Sequence, residues 1–159
     1  MSTYMLDTGI VLGYVRGAGY AEYVDRKFAI SVPPNIALVS VITIGEIYSI
    51  ALQLGWQEER RKKLRELIKK IPCIDISAPQ ILNRYAEIDA YSQGKHPSIK
   101  LPQGITSRNM GENDIWIAAT GSVSNATLLT VGHDFNHLDG VFLEVEFIDQ
   151  GLKGSNANA

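Results

Sequence analysis

A chain of 159 residues that is 45% hydrophobic and carries a net charge of −2 is long enough to bury a substantial core and lacks the bias of a disordered or fibrous protein. That charge excludes the strong basic excess of a general nucleic-acid binder, unless bound cations offset a cluster of carboxylates. One cysteine, Cys73, cannot form an intramolecular disulfide, and no run is apolar enough to span a bilayer or reads as a secretory leader, so a reducing, cytoplasmic setting is expected.

Residues 3–6 read as a short buried strand, followed by a helix over 9–15 that ends near Gly17-Ala18-Gly19. A second helix is expected over 22–28, broken by Pro33-Pro34. The β-branched run 36–41 suits a fully buried strand, after which Thr43 opens a helix through Glu46 to Leu54, closed by Gly55. Residues 57–70 form an amphipathic helix in which Arg60, Arg61, Lys62, Lys63, Arg65, Lys69 and Lys70 flank an apolar stripe. Residues 73–76 read as a strand with Cys73 buried beside Ile71 and Ile74, and Pro79 starts a helix running to about Gln93. Residues 94–110 have no period and read as a long loop leading to a helix that Asp114 opens and that ends near Val123. A buried strand at 127–131, a helical turn at 135–138 and an edge strand at 144–148 complete the alternation. The whole predicts a three-layer α/β/α sandwich on a mainly parallel sheet, one domain over 1–150 with a frayed tail at 151–159.

Three carboxylates sit at the edges of core elements: Asp7 after the first strand, Glu46 after the second, and Asp114 at the start of an apolar helix. Each alone is compatible with a helix cap, since a carboxylate oxygen accepts the orphan N–H groups of a first turn. Together they fit a single centre, because ligands of parallel sheets bind beyond the carboxyl ends of the strands. Acids crowded in one place repel one another and need cations, and oxygen-only donors suit Mg²⁺ or Mn²⁺ better than Zn²⁺.

The pattern Asp7-Thr8, Ser40-Val41-Ile42-Thr43-Ile44-Gly45-Glu46, Gly111-Glu112-Asn113-Asp114-Ile115-Trp116-Ile117-Ala118-Ala119, Leu128-Leu129-Thr130 and Asp134-Phe135 resembles the PIN domain, and within it the toxin ribonucleases of the VapC type. The resemblance implies a Mg²⁺- or Mn²⁺-dependent endoribonuclease with Asp7, Glu46 and Asp114 as metal ligands and Asp134 assisting. It implies that Asn113, Thr130 and Thr8 orient those acids, that RNA is the substrate, and that a cognate antitoxin protein restrains a homodimeric enzyme. Where the family has a further acid or amide two residues after Thr130, this chain has Gly132. A weakened PIN domain that binds RNA or protein without cutting is the alternative that this departure raises.

Other chemistries fit less well. A haloacid-dehalogenase phosphatase needs a second acid where Gly9 stands, and Gly17-Ala18-Gly19 lacks the third glycine of a dinucleotide loop. His133 and His137 have helical spacing without the glutamate of a zinc protease and read as surface or capping residues, while His96 lies isolated in the loop. The basic helix reads first as a solvated face, whereas Lys95, Lys100 and Arg108, in the loop leading to Asp114, are better placed to meet RNA. Tyr14, Tyr20, Tyr23, Ile47, Ile50 and Leu54 exceed what a chain this size is expected to bury and point to a homodimer surface.

Overall fold

The computed structural model describes residues 1–152. Five strands, β1 (Thr3–Leu6), β2 (Ile36–Ser40), β3 (Cys73–Ile74), β4 (Thr127–Thr130) and β5 (Val145–Phe147), form a sheet in the order β3-β2-β1-β4-β5. Every pairing is parallel, so the sheet is parallel throughout rather than mainly so. Parallel strands need crossovers, and six helices supply them: α1 (Thr8–Arg16), α2 (Gly19–Phe28), α3 (Val41–Gln53), α4 (Glu58–Lys70), α5 (Pro79–Ser92) and α6 (Glu112–Val123).

The three layers follow from strand alternation. Leu6, Val39 and Leu129 point to one face, where they pack with Ile10, Val15, Val24, Ile47 and Leu64 from α1 to α4. Their neighbours Met5, Leu38 and Leu128 point the other way, onto Ile81 and Ile88 of α5 and Ile115 and Ala119 of α6. A strand buried on both faces has no polar positions to spare, which is why these segments read as unbroken apolar runs. The chain winds from β1 to β2 and β3 in one direction and to β4 and β5 in the other, placing the switch point between β1 and β4.

Several boundaries differ from expectation for local reasons. α3 begins at Val41 because the Ser40 side chain accepts from Ile42 N at 3.1 Å, making Ser40 rather than a later residue the cap. α2 ends at Ala29, in the left-handed region at φ 50°, four residues before the first proline. β3 is a two-residue edge strand, so Cys73 is exposed, contrary to the buried thiol expected there. Residues 135–138 hold a 3-10 turn, Asn136–Leu138. Of the expected tail, Leu152 packs against the core of the first face, and residues 153–159 lie outside the described residues.

Candidate carboxylate site

β1 and β4 pair in register, Leu6 opposite Leu129, and both strands end at the same level, where the Asp7 amide donates to Leu129 O at 3.0 Å. Gly9 lets α1 leave this corner tightly against β4, since a Cβ there would lie 2.4 Å from Val131 Cγ2. Asp7 caps α1, its Oδ1 accepting from Thr8 N at 2.7 Å. A cap uses one oxygen only. Asp7 Oδ2 accepts from Thr130 Oγ1 at 2.7 Å, a bond spanning 123 residues of sequence. Thr130 Oγ1 in turn accepts from Gly132 N at 3.2 Å, and Thr8 Oγ1 donates to Glu46 Oε1 at 2.8 Å. Two threonines thus hydrogen-bond two carboxylates, Thr130 that of Asp7 and Thr8 that of Glu46.

Asp114 approaches from the other layer. The cap of α6 is Gly111, which offers no side chain, so Asp114 stands in the first helical turn rather than at its opening as expected. Burial, followed by the fields of Asp7, Asp134 and Glu46, pushes its carboxyl up to about 7. Burial also pushes Asp7 up, against the lowering effect of the Thr130 and Thr8 hydrogen bonds, with Glu46 and Asp134 adding to the rise. Asp134 itself is exposed, just before the 3-10 turn. Asp114 therefore lies within the fields of the other three acids, and Asp7 within those of Glu46 and Asp134. Among the described residues no Lys or Arg pairs with any of them, the ion pairs being Arg65 with Glu58 and Arg84 with Glu87.

Oxygen donors that repel one another and lack a cation partner are suited to a hard divalent ion. Among the described residues no three His, Cys, Asp or Glu side chains converge closely enough to enclose an ion unaided. Mg²⁺ keeps several of its waters in protein sites, so such spacing is compatible with it, whereas a site formed wholly of protein ligands would require tighter convergence.

The other expected residues scatter more widely. Asn113 is exposed and shares a groove with Glu46. Lys95 and Lys100 are exposed in the long loop, Lys95 Nζ donating to Gln93 Oε1 at 3.3 Å. Arg108 N donates to Ser92 O at 2.7 Å, which ties the loop back to α5. On the basic helix, Arg60 stands over the Trp56 ring at 5.5 Å and Arg61 Nε donates to Trp56 O at 2.8 Å, in keeping with a structural and solvated face.

His137 departs from its reading as a surface or capping residue. It is buried, with Nε2 2.7 Å from Ser92 Oγ and its ring parallel to Tyr91, and burial, with Arg108 adding to the effect, lowers its pKa to about 4. His133 is exposed and stacks on Phe147, and His96 Nδ1 accepts from the amides of Ser98 and Ile99, organising its own loop. Of the expected dimer residues, Tyr20 and Ile47 are core, while the exposed apolar surface of α3 and its end is Val41, Tyr48, Leu52 and Leu54. The burial of Tyr20 includes a bond from its hydroxyl to Gly9 O at 2.8 Å, invisible to a count of aromatic residues.

Fold and site together define a small parallel α/β protein with an acidic centre at the switch point of its sheet. The PIN domain profile matches residues 4–141, and the chain belongs to the PIN domain family. No curated protein sequence matches it significantly. Among solved structures it is similar to VapBC2 from Rickettsia felis bound to a promoter DNA fragment, at TM-score 0.71 and 22% identity over 92% of this chain and 99% of that one. It is also similar to VapBC-1 from nontypeable Haemophilus influenzae, at TM-score 0.66 and 25% identity over 91% and 97%. A third likeness is to VapBC-5 of the Mycobacterium tuberculosis VapBC toxin–antitoxin family, at TM-score 0.58 and 19% identity over 94% and 99%.

Proposed function

We propose that this protein is a divalent-metal-dependent endoribonuclease, the toxin of a toxin–antitoxin pair, acting as one domain over 1–150 and restrained by an antitoxin protein. The observation that carries the reading is the set Asp7, Glu46, Asp114 and Asp134, near the switch point and, among the described residues, without a Lys or Arg partner. Similarity to VapBC structures supports the pairing with an antitoxin.

Asp7, Glu46 and Asp114 would hold Mg²⁺ or Mn²⁺, and Asp134 adds charge at the solvent rim. Thr130 and Thr8 keep the Asp7 and Glu46 carboxylates from turning away, which preserves their direction when no ion is there to do so. The ion supplies charge stabilisation on phosphate oxygens and acidifies a water for attack. Ile115, next to Asp114, and Leu129, whose carbonyl accepts from the Asp7 amide, are buried, so these acids stand at the edge of apolar core, where electrostatic interactions are stronger than in water.

The test is cleavage of single-stranded RNA by purified protein with Mg²⁺, with EDTA, and with Asp114→Asn. Cleavage that needs the ion and disappears in the variant is expected; Asp114→Asn cutting at the parent rate under saturating Mg²⁺ would overturn the site. A binding module that does not cut is the second reading, and Gly132 is the observation in its favour, because it stands after β4 where the family pattern has an acid or amide. RNA binding without metal-dependent cleavage would select it.

A further inference from the structure

Beside the acids runs a groove of about 560 Å³ that shares Glu46 and Asn113 with the catalytic reading and whose other lining residues that reading does not use. Its floor is one stripe of α3 that runs from Val41 and Ile42 through Gly45 and Glu46 to Ser49, Ile50 and Gln53, and Asn113 from the start of α6 also lines it. Seven residues of helix separate Glu46 from Gln53, about 10 Å along the axis. Gly45 opens the floor: a Cβ there would meet nothing within 4 Å.

We infer that this groove is a subsite for one unpaired base of the RNA, next to the phosphate held at the carboxylates. The inference rests on the nuclease reading and extends it to how the substrate is held. Charge decides which part of a nucleotide enters. Among the described residues no lysine or arginine lines the groove and Glu46 stands midway along it, so a phosphate is repelled there while an uncharged base is not. Ile42 and Ile50 offer apolar wall for the flat of a base, and Ser49, Gln53 and Asn113 offer donors and acceptors for its edge. Gln53 Nε2 donates to Ser49 Oγ at 2.8 Å, which fixes the amide before any ligand arrives and lowers the ordering cost of recognition. Single strands are recognised in this way, by splayed bases met on their faces and edges, whereas a duplex presents neither.

Gly45 supplies a test free of folding damage. Glycine inside a helix is unfavourable relative to alanine, and the space above it is open, so Gly45→Ala should raise the melting temperature slightly and Gly45→Leu should fold normally while filling the groove. With a single-stranded oligoribonucleotide, Gly45→Leu is expected to raise KM on the order of tenfold, in line with the loss of one base contact, and to leave kcat and the Mg²⁺ midpoint within about twofold. Gln53→Ala should raise KM less and alter preference among bases. An unchanged KM for Gly45→Leu overturns the subsite, and so does a change in its molecular mass by light scattering, which would make the groove a contact between two copies of this chain. If the parent cuts no RNA, the nuclease reading has failed separately, and fluorescence anisotropy of a labelled oligoribonucleotide decides the groove. Binding by the parent that weakens in Gly45→Leu upholds it; binding equal in both, or absent from the parent, ends it.

Discussion

Asp114→Asn offers a measurement of the site that requires no substrate. In the metal-free protein the Asp114 carboxyl ionises at about 7, against 3.8 ordinarily, through burial first and then Asp7, Asp134 and Glu46. The unfolded chain ionises at the ordinary value, so between about pH 4 and pH 7 the folded state binds more protons. Stability contributed by the neutral acid is therefore present at low pH and is lost as pH rises through 7. Without solvent screening the gap corresponds to about 4 kcal/mol. Asp114 is only partly buried, and screening reduces this to roughly 1–2 kcal/mol. The amide keeps the shape and removes the charge, so in EDTA at pH 8 the variant should melt roughly 3–6 °C above the parent, with the gain fading by about pH 4. Added Mg²⁺ should then stabilise the parent more than the variant. Thermal melts across that pH range check it, and a gain as large at pH 4 as at pH 8, or a loss at pH 8, would refute the claim that these carboxylates repel one another in the fold.

Gly132→Asp should lower the Mg²⁺ concentration for half-maximal cleavage by roughly tenfold, since a Cβ there meets only Thr130 Oγ1 at 3.9 Å and the new carboxylate joins the donor set. Gly132→Ala should not, and identical activation curves for all three proteins would mean that this position is not the missing ligand. Thr130→Val removes the donor to Asp7 Oδ2 and lets the Asp7 carboxyl rise further, so the acid limb of the pH–rate profile should move to higher pH and Mg²⁺ affinity should fall by about 10–100-fold. An unmoved acid limb would show that the bond does not tune Asp7. We propose that the homodimer expected from sequence pairs through Tyr48, Leu52 and Leu54, exposed apolar residues of α3 and its end that lie outside the groove, so light scattering should give a dimer for the parent and a monomer for Leu52→Lys, whose wild-type side chain is 73% exposed. Only monomer from the parent at high micromolar concentration would count decisively against pairing.

The layers were readable in the sequence because a strand buried on both faces leaves an unbroken apolar run, and Leu38-Val39 and Leu128-Leu129 are such runs. Asp7 stood out because it follows the apolar Tyr4-Met5-Leu6, Glu46 because it follows the run that starts at Ile36, and Asp114 because an acid stands at the start of an otherwise apolar helix. What joins them was less visible. A threonine hydroxyl looks alike whether it faces water or, like Thr130, donates to an acid 123 residues away. Exposure was misjudged where it depended on an element's place in the sheet: Cys73 has apolar neighbours but lies on an edge strand, and His137 sits in a short polar segment but packs on Tyr91. Such burial is set by tertiary neighbours, on which local composition is silent.

The Asp7–Thr130 bond also sets when the site can exist. Asp7 directly follows the first strand and Thr130 ends the fourth, which pairs with β1 although all six helices lie between them in the chain. A nascent polypeptide lacking residues 127–134 has Asp7, Glu46 and Asp114 but neither the strand that aligns Asp7 nor the Asp134 turn. Contacts between such distant segments form late, after the loop-closure entropy has been met. Translation must therefore have passed residue 134 before the acidic centre takes shape, which leaves an interval in which Asp7, Glu46 and Asp114 have been made but the assembled site is not yet present.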